Sequence, residues 1–271
     1  MRIIIEHQTH YRFSKPVWHG VQRLRLTPRD CAVQSVLAWD LSVEGGQIET
    51  VYEDHNLNPV TVISLGSGNG EVTITGRGVV ETRDTAGIIG PHTGFMPLWL
   101  LANQTDLTKP GPKLRALAGK FRDDGTNTIP MLHDLMAAVG KAVVYEAGHT
   151  GADTTAEAAL AAGKGVCQDH AHVFIGAARL LGLPARYVSG YLLMEDRVEQ
   201  QAGHGWAEVF VAGLGWVGFD VSNDTCPDAR YVRLAVGVDY RDAAPVTSIA
   251  QGGGVGELSV ALSVAQQVQE Q

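Results

Sequence analysis

The stretch Gly163-Lys164-Gly165-Val166-Cys167-Gln168-Asp169-His170-Ala171-His172 leads into an apolar-periodic run, Ala171 to Leu181, that Gly182 and Pro184 close. This pattern predicts a core helix with Cys167 at its opening. The unpaired N–H groups and positive dipole end of a helix stabilise a thiolate, and the same N–H groups can hold an oxyanion. Glycines at 163 and 165 let backbone or substrate come close. The local sequence leaves two readings open, an activated nucleophile or a small buried residue that begins a core helix. Cys31 and Cys226 have no such setting and read as structural.

Downstream, Gly203-His204-Gly205-Trp206-Ala207-Glu208-Val209-Phe210 releases into an alternating strand, which puts the His204 imidazole at its start. Gly215-Trp216-Val217-Gly218-Phe219-Asp220 reads as the next strand, joined through Ala212-Gly213-Leu214. Antiparallel pairing of the two brings the end of one beside the start of the other, so Asp220 comes within reach of His204. A carboxylate there fixes the ring tautomer and stabilises the imidazolium. Taken singly, His204 reads first as a turn residue and Asp220 as the start of an Asx-turn, and their joint order and placement reverse that. A metal site is the rival use of these side chains. His172 lies about 140° around the helix from Cys167, so Cys167, His170 and His172 cannot all face one ion. No metal and no cofactor is expected. His170 shares the face of Cys167, while His172 reads as a hydrogen-bonded, partly buried histidine.

The first hundred residues carry strand signals at Arg2 to Glu6, Arg23 to Thr27, Val36 to Val43, Gln47 to Glu53, Pro59 to Leu65 and Glu71 to Glu81, an antiparallel β-domain. Gly66-Ser67-Gly68-Asn69-Gly70 sits between alternating runs and reads as a hairpin turn; it lacks the spacing and the following helix of a phosphate loop. Helix formers take over at Leu98 to Leu101, Lys113 to Phe121 and Ile129 to Val144. The expected division is therefore residues 1–100, a β-sandwich-like domain, and 101–271, a catalytic α+β domain. Strands are expected at Ala185 to Leu193, Tyr231 to Val238 and Glu257 to Val264, the last able to return to the N-terminal domain. Gly252-Gly253-Gly254 is a joint, and the Gln-rich end, 266–271, reads as frayed.

With 271 residues, 45% hydrophobic and 18% charged, the chain can bury a sizeable core. No segment approaches the roughly 20 apolar residues that cross a bilayer, and the start suits no signal peptide, so no membrane partner and a cytoplasmic location are expected. Three cysteines make no disulfide framework. A net charge of −8 without a basic run speaks against nucleic acid.

Gly165-Val166-Cys167-Gln168-Asp169-His170-Ala171-His172, Pro184-Ala185-Arg186-Tyr187-Val188-Ser189-Gly190-Tyr191, His204-Gly205-Trp206-Ala207-Glu208-Val209 and Gly215-Trp216-Val217-Gly218-Phe219-Asp220 together resemble the bacterial transglutaminase-like family. His7-Gln8-Thr9-His10-Tyr11, Leu24 to Arg29 and Val236 to Asp242 extend the resemblance over nearly the whole chain. It implies a papain-like α+β core with Cys167 as nucleophile, His204 as base and Asp220 as orienting acid, behind a family-specific β-domain. It also implies an acyl-site or oxyanion role for Tyr145, with Val166, Gln168, His170 and Trp206 as further substrate or oxyanion contacts. The chain departs from the family at His170, where an aromatic residue is usual, at Gly205, usually alanine, and at Asp220-Val221-Ser222, usually Asp-Pro-Thr. The His170 change bears on the pH profile. The expected activity is cysteine-dependent hydrolysis of a peptide or glutamine-like amide through a thioester. The alternatives are transfer of the acyl group to an amine and a catalytically silent binding scaffold. Met194 to Glu199 reads as a solvated loop, with the rim of the cleft as the other possibility.

Overall fold

The computed structural model describes every residue except 67, 69, 123, 124, 255 and 268–271. In chain order the elements are β1 (Arg2–Phe13), β2 (Val17–Leu24), β3 (Gln34–Glu44), β4 (Gly46–Glu53), β5 (Pro59–Leu65), β6 (Glu71–Thr82), β7 (Ile88–Gly90), α1 (Leu98–Leu101), α2 (Pro112–Ala118) and α3 (Thr128–Ala142). There follow β8 (Val144–Tyr145), α4 (Ala156–Ala162), β9 (Lys164–Gly165), α5 (Cys167–Leu180), β10 (Ala185–Leu192), β11 (Glu199–Gln200), β12 (His204–Val211), β13 (Gly215–Phe219), β14 (Tyr231–Gly237), α6 (Tyr240–Ala243), β15 (Val246–Gly252) and β16 (Gly256–Gln266).

Helix α5 is the centre of the C-terminal part. It is apolar on nearly every side, with Val173, Phe174, Ile175, Ala177 and Ala178 wholly buried, and a helix of that kind must be enclosed. Helices α2, α3 and α4 cover it on one side, and Ala207, Val209 and Phe219 of the sheet β14-β10-β12-β13-β7 meet it on the other. Gly176 permits the close approach of α2, since a Cβ there would press on Leu114 and the Thr108 carbonyl. Arg179 pins the connections around the helix end, donating to the carbonyls of Leu101, Ala185 and Val238. All eight residues of β10 are buried, because the N-terminal strands pack on the opposite face of that sheet through Tyr191, Val232 and Leu234.

Those strands form two sheets, β11-β16-β1-β6-β3 and β15-β2-β5-β4. Strand β1 shows the alternation of a half-buried strand, with Ile3, Ile5, His7 and Thr9 inward and Arg2, Ile4, Glu6 and Gln8 outward. Strand β16 pairs with β1 from Ile3↔Gln266 to Phe13↔Gly256. One correction concerns Gly66 to Gly70: β5 and β6 lie in different sheets, so the segment crosses between sheets and closes no hairpin. Residues 67 and 69 of that turn, and residues 268–271 of the Gln-rich end, lie outside the described residues. Strand β7 joins the C-terminal sheet beside β13, and β15 pairs with β2 along its length. Among the described residues no helix is long and apolar enough to cross a membrane.

Candidate active site

Cys167 is the first residue of α5. Val166 occupies the N-cap position and has no side-chain acceptor to offer, so the first N–H groups of α5 receive no cap from it. The corner is held instead by Asp169, whose carboxylate accepts from the Val166 N–H at 2.8 Å and from the Thr150 hydroxyl at 2.7 Å. Glycine at 165 is a consequence, because a Cβ there would sit 2.7 Å from the Asp169 side chain. The sequence thus replaces an ordinary N-cap with a brace from inside the helix.

Strand β12 starts at His204 and β13 ends just before Asp220, in the register Ala207↔Phe219 to Val211↔Gly215. Gly213 and Gly215 adopt the left-handed backbone that this tight connection requires. His204 Nε2–H donates to Asp220 Oδ2 at 2.7 Å. That leaves Nδ1 free of Asp220, and Cys167 lies on the same pocket wall, close enough to raise the pKa of the ring. Asp220 also accepts from the Asn223 amide and the Tyr231 hydroxyl, each at 2.7 Å, and from the Ser222 N–H at 3.0 Å. Asp220 therefore closes an Asx-turn through Oδ1 while its Oδ2 receives the His204 ring.

Electrostatics follow from these bonds. Burial alone would strip charge from His204, but Asp220 and then Cys167 outweigh it and push its pKa up to about 10. Burial likewise opposes ionisation of Asp220, yet His204, Asn223 and Tyr231 hold it below the usual carboxylate range. Behind His204 the Trp206 ring stacks at 6.1 Å between centroids, and Tyr231 meets Trp206 edge-on at 5.4 Å. Gly190 makes room for that indole, since any Cβ would strike it. Tyr231 and Asn223 went unread in the sequence, Tyr231 passing as an ordinary strand residue; an Asn three residues past an Asx-turn Asp was the one available sign.

Two cavities meet at His204. A wide cleft of about 540 Å³ is bounded by Tyr145, Leu193, Glu195, Asp196, Arg197 and Arg230. A smaller pocket of about 210 Å³, on whose wall Cys167 lies, includes Val166, Gln168, Tyr187, Tyr191 and Tyr240. Of the expected contacts, Tyr145 is thus in the cleft, and Val166 and Gln168 are in the pocket. The Met194 to Glu199 segment contributes Met194 to Arg197 to the cleft, so the rim reading holds for those four.

His170 and Trp206, expected as contacts, are placed otherwise. His170 is buried, bonding Ser222 Oγ through Nδ1 at 2.8 Å and the Val143 carbonyl through Nε2 at 2.7 Å. Burial pushes its pKa down, and it ties α5 to the end of α3. Trp206 is a buried platform behind the imidazole. His172, wholly buried, accepts the Tyr240 N–H at 3.2 Å. Cys31 accepts a hydrogen bond from Arg233, and burial pushes the Cys226 thiol up, so neither shares the setting of Cys167 at a helix start.

Known proteins resemble this chain over its full length. It is 27% identical to an uncharacterized protein of Mycobacterium leprae, over 97% of this chain and 98% of the relative. An uncharacterized protein of Mycobacterium tuberculosis is 28% identical, over 92% of this chain and 87% of its own. Among solved structures, one from Cytophaga hutchinsonii named "putative cysteine protease" superposes with a TM-score of 0.74 at 20% identity, covering 100% of this chain and 92% of that one. That likeness establishes a shared fold. Residues 115–221 match the transglutaminase-like superfamily, and residues 3–81 match the bacterial transglutaminase-like N-terminal region. The chain therefore carries a core of the transglutaminase-like superfamily behind the N-terminal region of the bacterial transglutaminase-like proteins.

Proposed function

We propose that the protein is a cysteine-dependent amide hydrolase in which Cys167, His204 and Asp220 are nucleophile, base and orienting acid. The observation that carries this reading is the His204 ring bonded to Asp220 at 2.7 Å and sharing one pocket with Cys167, at the N-terminus of α5. The thiol proton passes to His204 Nδ1, and the sulfur attacks the amide carbonyl carbon. The oxyanion is received by the N–H groups at the start of α5. His204 returns the proton to the departing nitrogen, the C–N bond breaks and a thioester remains. Water arriving through the wide cleft then gives a proton to His204 as its oxygen bonds to the thioester carbon; the C–S bond breaks, the acid leaves and His204 returns that proton to the Cys167 sulfur.

Three free thiols suit a reducing cytoplasm, where cross-linking of neighbouring proteins would be harmful and water is the safer acceptor. Transfer to a primary amine is the second reading, supported by Glu195 at the cleft, which offers a carboxylate to an ammonium group, while Asp196 there is paired with Arg197. Incubation with a peptide library, with and without a primary amine, and mass spectrometry separates cleaved peptides, deamidated glutamine and amine adducts. We expect cleavage or deamidation that Cys167→Ala abolishes; a product that survives in Cys167→Ala sinks the assignment.

A further inference from the structure

We infer that the pocket walled by Cys167 is the acyl-donor subsite, that it admits only an uncharged acyl group, and that His7 of β1 sets its depth. This rests on the triad reading above.

The two cavities differ in chemistry. The cleft carries Glu195, Asp196, Arg197 and Arg230. The residues of the pocket include no Asp, Glu, Lys or Arg, and its one charge-bearing ring, His204, is already matched by Asp220. A charged acyl chain entering there sheds its water and meets no counter-ion. A glutamine carboxamide or an apolar chain meets Tyr187, Tyr191, Tyr240 and Leu234 instead, with the Ser189 hydroxyl also on the wall. Aspartyl, glutamyl and lysyl acyl chains are refused, while the cleft takes the charged remainder of the substrate.

The alternation of β1 that buries Ile3 and Ile5 also turns His7 inward, and there it becomes part of this wall. Its Nδ1 lies 2.9 Å from the Tyr191 hydroxyl and its Nε2 3.3 Å from Thr9 Oγ1. Burial pushes its pKa down to about 4, so the ring is neutral and adds no charge to the pocket. The N-terminal region is by this account a part of the acyl site and not only a neighbour to it.

Activated esters read the acyl side directly, since the Cys167 sulfur displaces the same p-nitrophenolate from each and keeps the acyl group as a thioester. The rate of the p-nitrophenolate burst is divided by the rate of the same ester with glutathione. We expect p-nitrophenyl butyrate to exceed p-nitrophenyl hemisuccinate by at least tenfold in the intact protein. Equal corrected rates overturn the inference and leave the nucleophile standing. No burst dependent on Cys167 with any ester overturns the triad reading and this one with it. For depth, the decanoate-to-butyrate ratio should rise at least fivefold in His7→Ala, and an unchanged ratio in the folded variant removes His7 from the argument. His7→Val, a smaller opening in a strand-favouring residue, carries the same measurement if His7→Ala does not fold.

Discussion

Two buried ionic clusters sit four residues apart on β12, and they have opposite fates. Glu208 is gripped by Arg186 Nε at 2.7 Å and by Arg233 Nε and Nη2 at 2.7 and 3.0 Å, with no exposed side-chain surface. Burial resists its charge, yet Arg233 and Arg186 hold its pKa below the usual range. Asp220 is gripped just as fully by His204, Asn223, Tyr231 and the Ser222 N–H. The difference lies in the cation. Arg186 and Arg233 join neighbouring strands, and Arg233 and Glu208 border only a cavity of about 10 Å³, whereas His204 opens on the cleft and the pocket. A closed cluster converts its charges into sheet register; the open one keeps a proton-carrying ring available for a reacting group.

The sharpest way to break this comparison is Asp220→Asn. An amide in that place turns an N–H toward His204 Nε2 and reverses the tautomer, so Cys167 acylation should fall by about 10³ to 10⁴. Burst kinetics with an activated ester measure it, and a loss under tenfold would show that Asp220 does not orient the base. Glu208→Ala should do the reverse. It strands two guanidinium groups inside the protein and should cost about 3–5 kcal/mol of stability in urea unfolding, with the folded fraction still acylated at the normal rate. Gly205→Ala comes next. Its Cβ would collide with the buried Tyr187 hydroxyl, for a cost of about 1–3 kcal/mol. In Tyr187→Phe the colliding oxygen is gone, so the penalty of Gly205→Ala should shrink in the double variant; equal penalties would place the strain elsewhere.

Much of the site was legible because its signals are local. The glycines before Cys167, the apolar run after it and the short turn between β12 and β13 each carry their meaning within a few residues. What was not legible is non-local. The alternating runs around Gly66 to Gly70 suit a hairpin and a sheet crossing equally, and only the partners of β5 and β6 decide. Strand β15 is mostly exposed, so it has no alternation to read, and its identity comes from β2. His7 looks like any inward residue of β1, with its Tyr191 partner 184 residues away. Gly205 is a glycine for a reason held on another strand, the Tyr187 hydroxyl.

The smallest effect tests whether the open cluster is coupled to its thiol. Cys167 is one of the groups that raise the His204 pKa, after Asp220, so Cys167→Ala should bring that pKa down from about 10 while leaving the Asp220 bond in place. A raised histidine stabilises the fold fully below its unfolded value of about 6.5, and that stability is lost as pH rises through the folded value. In Cys167→Ala the loss should therefore still begin near pH 6.5 but be smaller and be complete at lower pH. Asp220 and Glu208, both lowered, contribute above the ordinary carboxylate range and lose their contributions as pH falls, so the acid limb should keep the contribution of Glu208 unchanged. Imidazole titration by NMR together with urea unfolding across pH measures both limbs. An unmoved His204 in Cys167→Ala would mean that the thiol and the ring do not share a proton, and that the open cluster is as self-contained as the closed one.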